Sequence, residues 1–157
     1  MTSAAAPCVL LVEDDTSITR FVAMALDQLP IELLTCTSVP AAVALLEQRD
    51  IQLVITDLML PGESGISLVQ RLSANPQLRG GTLVAVFSAG LTTAVKEQLQ
   101  GMDLWRVLSK PIAVQELESC VRDALALHAF SLAVALLSAA MILPWARRPA
   151  AMLERTR

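Results

Sequence analysis

Apolar residues follow two alternating patterns over the first 128 residues of this 157-residue chain. Short continuous runs occur at Val9–Val12, Ile31–Leu34, Ile51–Ile55, Leu83–Phe87 and Trp105–Leu108. Between them, apolar positions recur at helical spacing. The sets are Ile18, Val22, Ala25 and Leu29; Val39, Val43 and Leu46; Ile66, Val69 and Leu72; Val95 and Leu99; and Leu117, Val121 and Leu125. The runs read as buried strands and the periodic stretches as amphipathic helices. The run at Ile31 is the least distinct, because threonines continue it. Five strands alternating with five helices predict an α/β fold, a doubly wound parallel sheet covered on both faces. The right-handed crossover rule leaves few ways to connect it.

In such a sheet a ligand sits beyond the carboxyl ends of the strands. Glu13, Asp14 and Asp15 follow the first run, and Asp57 follows the third, inside LVITDLMLPGESG. Ser88 ends the fourth, and Ser109, Lys110 and Pro111 follow the fifth. Each has a bland explanation taken alone. Asp15 can cap a helix with Thr16 or Ser17, Asp57 can form a turn before Pro61 and Gly62, Ser88 can be a cap, and Lys110 a solvated charge. Their shared rim changes the weighing. Crowded carboxylates repel unless a cation or Lys110 lies among them. Mg²⁺ suits oxygen ligands that leave waters in place, and such a site can position and neutralise a phosphoryl group.

The segments VLLVEDD, LVITDLMLPGESG, VAVFSAG and VLSKPI, in that order and with that spacing, resemble the response-regulator receiver domain of two-component signalling over about residues 8–128. The resemblance implies a flavodoxin-like sheet of order 2-1-3-4-5. It implies Asp57 as the phosphoacceptor, attacking a phosphohistidine on a histidine kinase or phosphotransfer protein. Mg²⁺ would be bound by Asp14 directly, by Glu13 through water, by Asp57, and by the backbone carbonyl of Met59. Ser88 would hydrogen-bond the phosphoryl group and Lys110 would pair with its oxygens. A cis Lys110–Pro111 peptide is expected as well. On this reading the chain is no enzyme beyond its own phosphorylation, and it signals through contact with a downstream protein.

Two positions depart from the family pattern. Val107 stands where an aromatic ring usually swings inward on activation; the chain has no Tyr, and Trp105 lies two residues earlier. Met59 and Gly90, two residues after Asp57 and Ser88, cannot orient an attacking water, which predicts a long-lived acyl phosphate.

Charge and composition narrow the partners. Residues 1–143 carry 8 Lys/Arg against 14 Asp/Glu, a balance of −6, and residues 144–157 carry four Arg against one Glu, a balance of +3. An acidic body argues against nucleic acid as its direct ligand, and the residues after His128 hold no helix-turn-helix pattern. Cys8, Cys36 and Cys120 form no CxxC pair and read as buried hydrophobes of a reducing, cytoplasmic setting. The amino-terminal apolar run meets three acids at once, unlike a signal peptide. His128, the single histidine, reads as an ordinary helix residue.

Residues 129–157 form a second segment, a hydrophobic helix with a basic tail. From Ala124 to Ala146 no residue is charged when His128 is neutral. Once the first residues are given to the fifth helix, roughly 17 remain, the lower limit for a membrane span. Arg147 and Arg148 favour the cytoplasmic side, where a receiver must also work, so a single span satisfies both poorly. The run is compatible with membrane association through 129–146, with docking on a partner or a second copy as a homodimer, or with no selected role. Two rivals to a phosphoacceptor stand beside it. One is a receiver-like scaffold that binds partners without being phosphorylated, which Val107 permits. The other is a flavin-binding protein of the same topology, which fits poorly because an acid cluster repels a flavin phosphate.

Overall fold

The computed structural model describes residues 5–142, with side-chain surroundings up to Ala139. Five parallel strands form one sheet in the order β2-β1-β3-β4-β5. They are β1 (Cys8–Val12), β2 (Glu32–Cys36), β3 (Leu53–Thr56), β4 (Leu83–Ser88) and β5 (Arg106–Ser109). The helices are α1 (Thr16–Leu26), α2 (Val39–Gln48), α3 (Gly65–Ala74), α4 (Pro76–Arg79), α5 (Thr93–Leu99) and α6 (Val114–Ile142). The flavodoxin-like order is the one the sequence implies.

Alternation along the strands splits the core into two layers. Leu10, Val12, Val54, Val84 and Val86 face one way, against Val39, Ala42, Leu46, Leu68, Leu72 and Leu99 of α2, α3 and α5. Val9, Leu11, Leu53, Ile55, Ala85 and Phe87 face the other, against Val22, Leu26, Leu117, Cys120 and Val121 of α1 and α6. The central strands β1 and β3 are buried throughout, whereas edge strand β2 alternates between exposed and half-buried positions. That is why β1 is an unbroken apolar run and β3 is apolar up to Thr56, while β2 admits Glu32 and Thr35. Each fully buried Leu of these layers contributes about 1.5–3 kcal/mol.

Three details differ from expectation. Among the described residues there are six helices, because Asn75 caps a short α4 whose first residue is Pro76. Strand β3 begins at Leu53; just before it, the Ile51 carbonyl accepts from the Thr82 hydroxyl at 2.7 Å and the Gln52 amide donates to the Cys8 carbonyl. The fifth expected helix and the described part of the hydrophobic extension, to Ile142, are one continuous helix, α6. The chain divides into a compact unit ending at Leu125 and a second unit from Ala126. The basic end with Arg147 and Arg148 lies outside the described residues.

Candidate functional site

Strand order reverses between β1 and β3, and the acids follow those two strands. The Glu13 amide donates to Cys36 of β2 and the Asp57 amide to Val12 of β1, both at 2.9 Å, so each acid continues its strand by one residue. Glu13 and Asp57 are buried, at 3% and 7% exposure, and Asp14 is exposed. Carboxylate oxygens of Glu13, Asp14 and Asp57 lie within 4.8 Å of one another, so this cluster could hold a metal ion. Three anionic oxygen donors suit a hard divalent cation.

Lys110 is brought to the cluster from β5. Its Nζ donates to Glu13 Oε2 at 2.6 Å and to Asp57 Oδ2 at 2.7 Å. Burial disfavours the ammonium, but hydrogen bonds to the Asp57 and Glu13 carboxylates outweigh it, and the Lys110 pKa is raised above its usual 10.5. The backbone orients the other oxygen of Asp57. Its Oδ1 accepts from the Leu58 amide at 2.6 Å and the Met59 amide at 3.2 Å.

Ser88 and Lys110 are tied through the main chain. Ser88 pairs with Ser109 in the sheet, and the Lys110 amide donates to the Ser88 carbonyl at 3.1 Å. The Ser88 hydroxyl is buried and accepts a long 3.4 Å bond from the Gly90 amide. The Lys110–Pro111 peptide is cis, as the resemblance implied. Asp15 stands apart as the N-cap of α1, its Oδ1 accepting from Ser17 and Ile18. Those backbone hydrogen bonds lower its pKa.

The sequence matches the family model of the response regulator receiver domain over residues 9–122. The chain belongs to the response regulator receiver domain family. The receiver is 28% identical to the phosphate regulon transcriptional regulatory protein PhoB of Pseudomonas aeruginosa, over 69% of this chain and 47% of that one. It is 30% identical to the sensory transduction protein RegX3 of Mycobacterium tuberculosis, over 74% of this chain and 50% of that one. The chain thus spans about half the length of these curated relatives. Among solved structures, a signal receiver domain from Vibrio parahaemolyticus superposes with a TM-score of 0.76 at 26% identity, covering 82% of this chain and 97% of that one.

The receiver fold gathers Glu13, Asp14, Asp57 and Lys110 into one cluster and holds Ser88 on the strand beside Lys110. Met59 lies two residues after Asp57 and is 76% exposed. Two supporting residues escaped the sequence reading. The Phe87 ring centroid lies 5.0 Å from Lys110 Nζ, giving the ammonium a cation–π face. Gly65 opens α3 directly against the Asp57 backbone. Phe87 carried no signal beyond its apolar run. Gly65 did carry one, as a glycine placed just after a Ser cap. Val107 is 44% exposed, while Trp105 packs with the layer containing Leu108 and Leu117.

Proposed function

We propose that the chain is a phosphoacceptor receiver of a two-component phosphorelay, with Asp57 as the residue phosphorylated. The observation that carries this reading is Lys110 Nζ bridging Glu13 and Asp57 at 2.6 and 2.7 Å, which joins three segments distant in sequence. A carboxylate gripped by two backbone amides on one side and an ammonium on the other is held in one orientation.

Glu13, Asp14, Asp57 and the Met59 backbone carbonyl would hold Mg²⁺, which when bound supplies positive charge close to the phosphoryl oxygens. An Asp57 carboxylate oxygen bonds to phosphorus as the phosphorus–nitrogen bond of a phosphohistidine breaks. The electron pair of that bond stays with the imidazole nitrogen. Lys110 passes from the Asp57 carboxylate to the incoming phosphoryl oxygens, and the Ser88 hydroxyl donates to one of them. The acyl phosphate carries ~1.5–2 negative charges in place of the single charge of the Asp57 carboxylate. Ser88 is drawn toward it, and the face built from α5, β5 and the first turns of α6 shifts between two arrangements.

The donor is a histidine kinase or phosphotransfer protein on the cytoplasmic side, and the target is a protein rather than nucleic acid, in keeping with the acidic body. Val107 in place of an aromatic favours a second reading, a scaffold that binds its partner irrespective of phosphorylation. Acetyl phosphate and Mg²⁺ separate the two. The phosphoacceptor gains the mass of one phosphoryl group, and Asp57→Ala abolishes the gain. An unmodified mass in the parent chain leaves the scaffold.

A further inference from the structure

We propose that the part of α6 beyond Leu125 is a membrane anchor, embedded in a lipid bilayer. The helix changes character at that point. Up to Leu125 it is amphipathic, with Leu117, Cys120, Val121 and Ala124 buried and Glu116, Arg122 and Asp123 exposed. From Ala126 to Ala139 every residue except the half-buried His128 is exposed, and the only other polar side chains are Ser131 and Ser138. The Ser138 hydroxyl donates to the Val134 carbonyl at 2.9 Å, so it is satisfied inside its own helix and has no need of water.

The distribution of large side chains decides what covers the helix. At 100° per residue, Phe130, Val134 and Leu137 fall on one side and Leu132 and Leu136 on the opposite side. All are exposed, Phe130 by 68%, Leu137 by 69%, Leu132 by 62% and Leu136 by 63%. A second copy of the helix would cover one side and leave the other in water. A bilayer covers both. A helix lying flat at the interface would keep a charged face, and no residue between Asp123 and Arg147 is charged when His128 is neutral. A core helix of a soluble protein is mostly buried, whereas 17% of the most apolar 18-residue window of α6 is.

Length and charge agree with a bilayer. The described part of this stretch, residues 126–142, extends about 26 Å as helix, near the lower limit for the ~30 Å hydrocarbon core. Arg122 precedes the apolar stretch, and Trp145, Arg147 and Arg148 follow it, side chains that suit headgroup depth. Arg106 adds to Arg122 on the receiver side, against Arg147, Arg148, Arg155 and Arg157 on the other, so cations border both ends of the apolar stretch.

The test uses the full chain, released from mild detergent into phosphatidylcholine vesicles containing phosphatidylglycerol, then floated on a density gradient. The chain is expected to float with the vesicles and to remain with them through an alkaline carbonate wash. Leu132→Glu combined with Leu136→Glu should lower the floated fraction more than about tenfold, while phosphoryl uptake from acetyl phosphate is retained as a check on receiver folding. Recovery of the parent chain in the lipid-free layer, including as a defined dimer, overturns the anchor. So does flotation of the double variant equal to that of the parent. The parent's flotation and carbonate wash stand without the variant.

Discussion

A methyl group on Gly65 would lie 1.9 Å from the carbonyl oxygen of Asp57. The contact is backbone to backbone, so no flexible side chain can yield. The loop between β3 and α3 is closed around it: the Leu58 carbonyl accepts from both the Gly65 amide and the Ser64 hydroxyl at 3.0 Å, and Ser64 caps α3. Gly65→Ala must move either the start of α3 or Asp57 itself. The expected cost is about 1–3 kcal/mol, read as a lower unfolding midpoint, together with slower phosphoryl uptake. A variant with the parent's midpoint and rate would mean that Gly65 does not position the aspartate.

Lys110 links stability to pH at the alkaline end. Its folded pKa is raised above 10.5 despite burial, because the Asp57 and Glu13 carboxylates favour the ammonium. A raised pKa means the stabilisation is fully present below the unfolded value and is lost as pH rises through the folded one. Urea unfolding followed from neutral pH to beyond about pH 10.4 should therefore lose stability in an alkaline step. Lys110→Met should lack that step and slow phosphoryl uptake roughly a hundredfold, the scale for one charged partner of a transferring group. The same alkaline step in the variant would assign it to another group.

Asp14 differs from the other two acids in being exposed. Removing its charge should spare the fold and weaken metal binding. Asp14→Asn is expected to unfold within about 0.5 kcal/mol of the parent and to require at least ~10-fold more Mg²⁺ for half-maximal phosphorylation. A Mg²⁺ titration of acetyl phosphate uptake checks this. An unchanged midpoint would remove Asp14 from the metal site.

The architecture was legible because both faces of β1 and β3 are covered, so VLLV is wholly apolar and LVIT is apolar up to its last residue, Thr56. The site was legible because its residues sit at or just after the carboxyl ends of β1, β3, β4 and β5. What the sequence hid is pairwise. Asp14 and Glu13 are adjacent, and only the path of the chain turns Glu13 inward to Lys110 and leaves Asp14 at the surface. Phe87 beneath Lys110 is a contact between β4 and the end of β5, which alternation within one strand does not specify. Helix α4 had its signals in Asn75, Pro76 and Gly80, but at four residues it is too short for apolar periodicity to mark.

The lifetime of the proposed Asp57 acyl phosphate should depend on two positions flanking the site. Hydrolysis needs a water held in line behind phosphorus, and a side chain with a carboxamide or carboxylate at position 59 or 90 could hold it. Met59 is exposed and cannot accept strongly, and Gly90 offers only its backbone, whose amide already donates to Ser88. Chain phosphorylated with acetyl phosphate, then freed of the donor in the presence of Mg²⁺, should keep its phosphoryl group for many minutes or longer by intact mass. Met59→Asn supplies an amide that can orient water and should shorten the lifetime roughly tenfold or more, the low end of positioned acid–base assistance being about 10²-fold. Loss within seconds from the parent protein would show that hydrolysis is assisted by some other group, and an unaltered lifetime in Met59→Asn would show that position 59 does not face the attacking water.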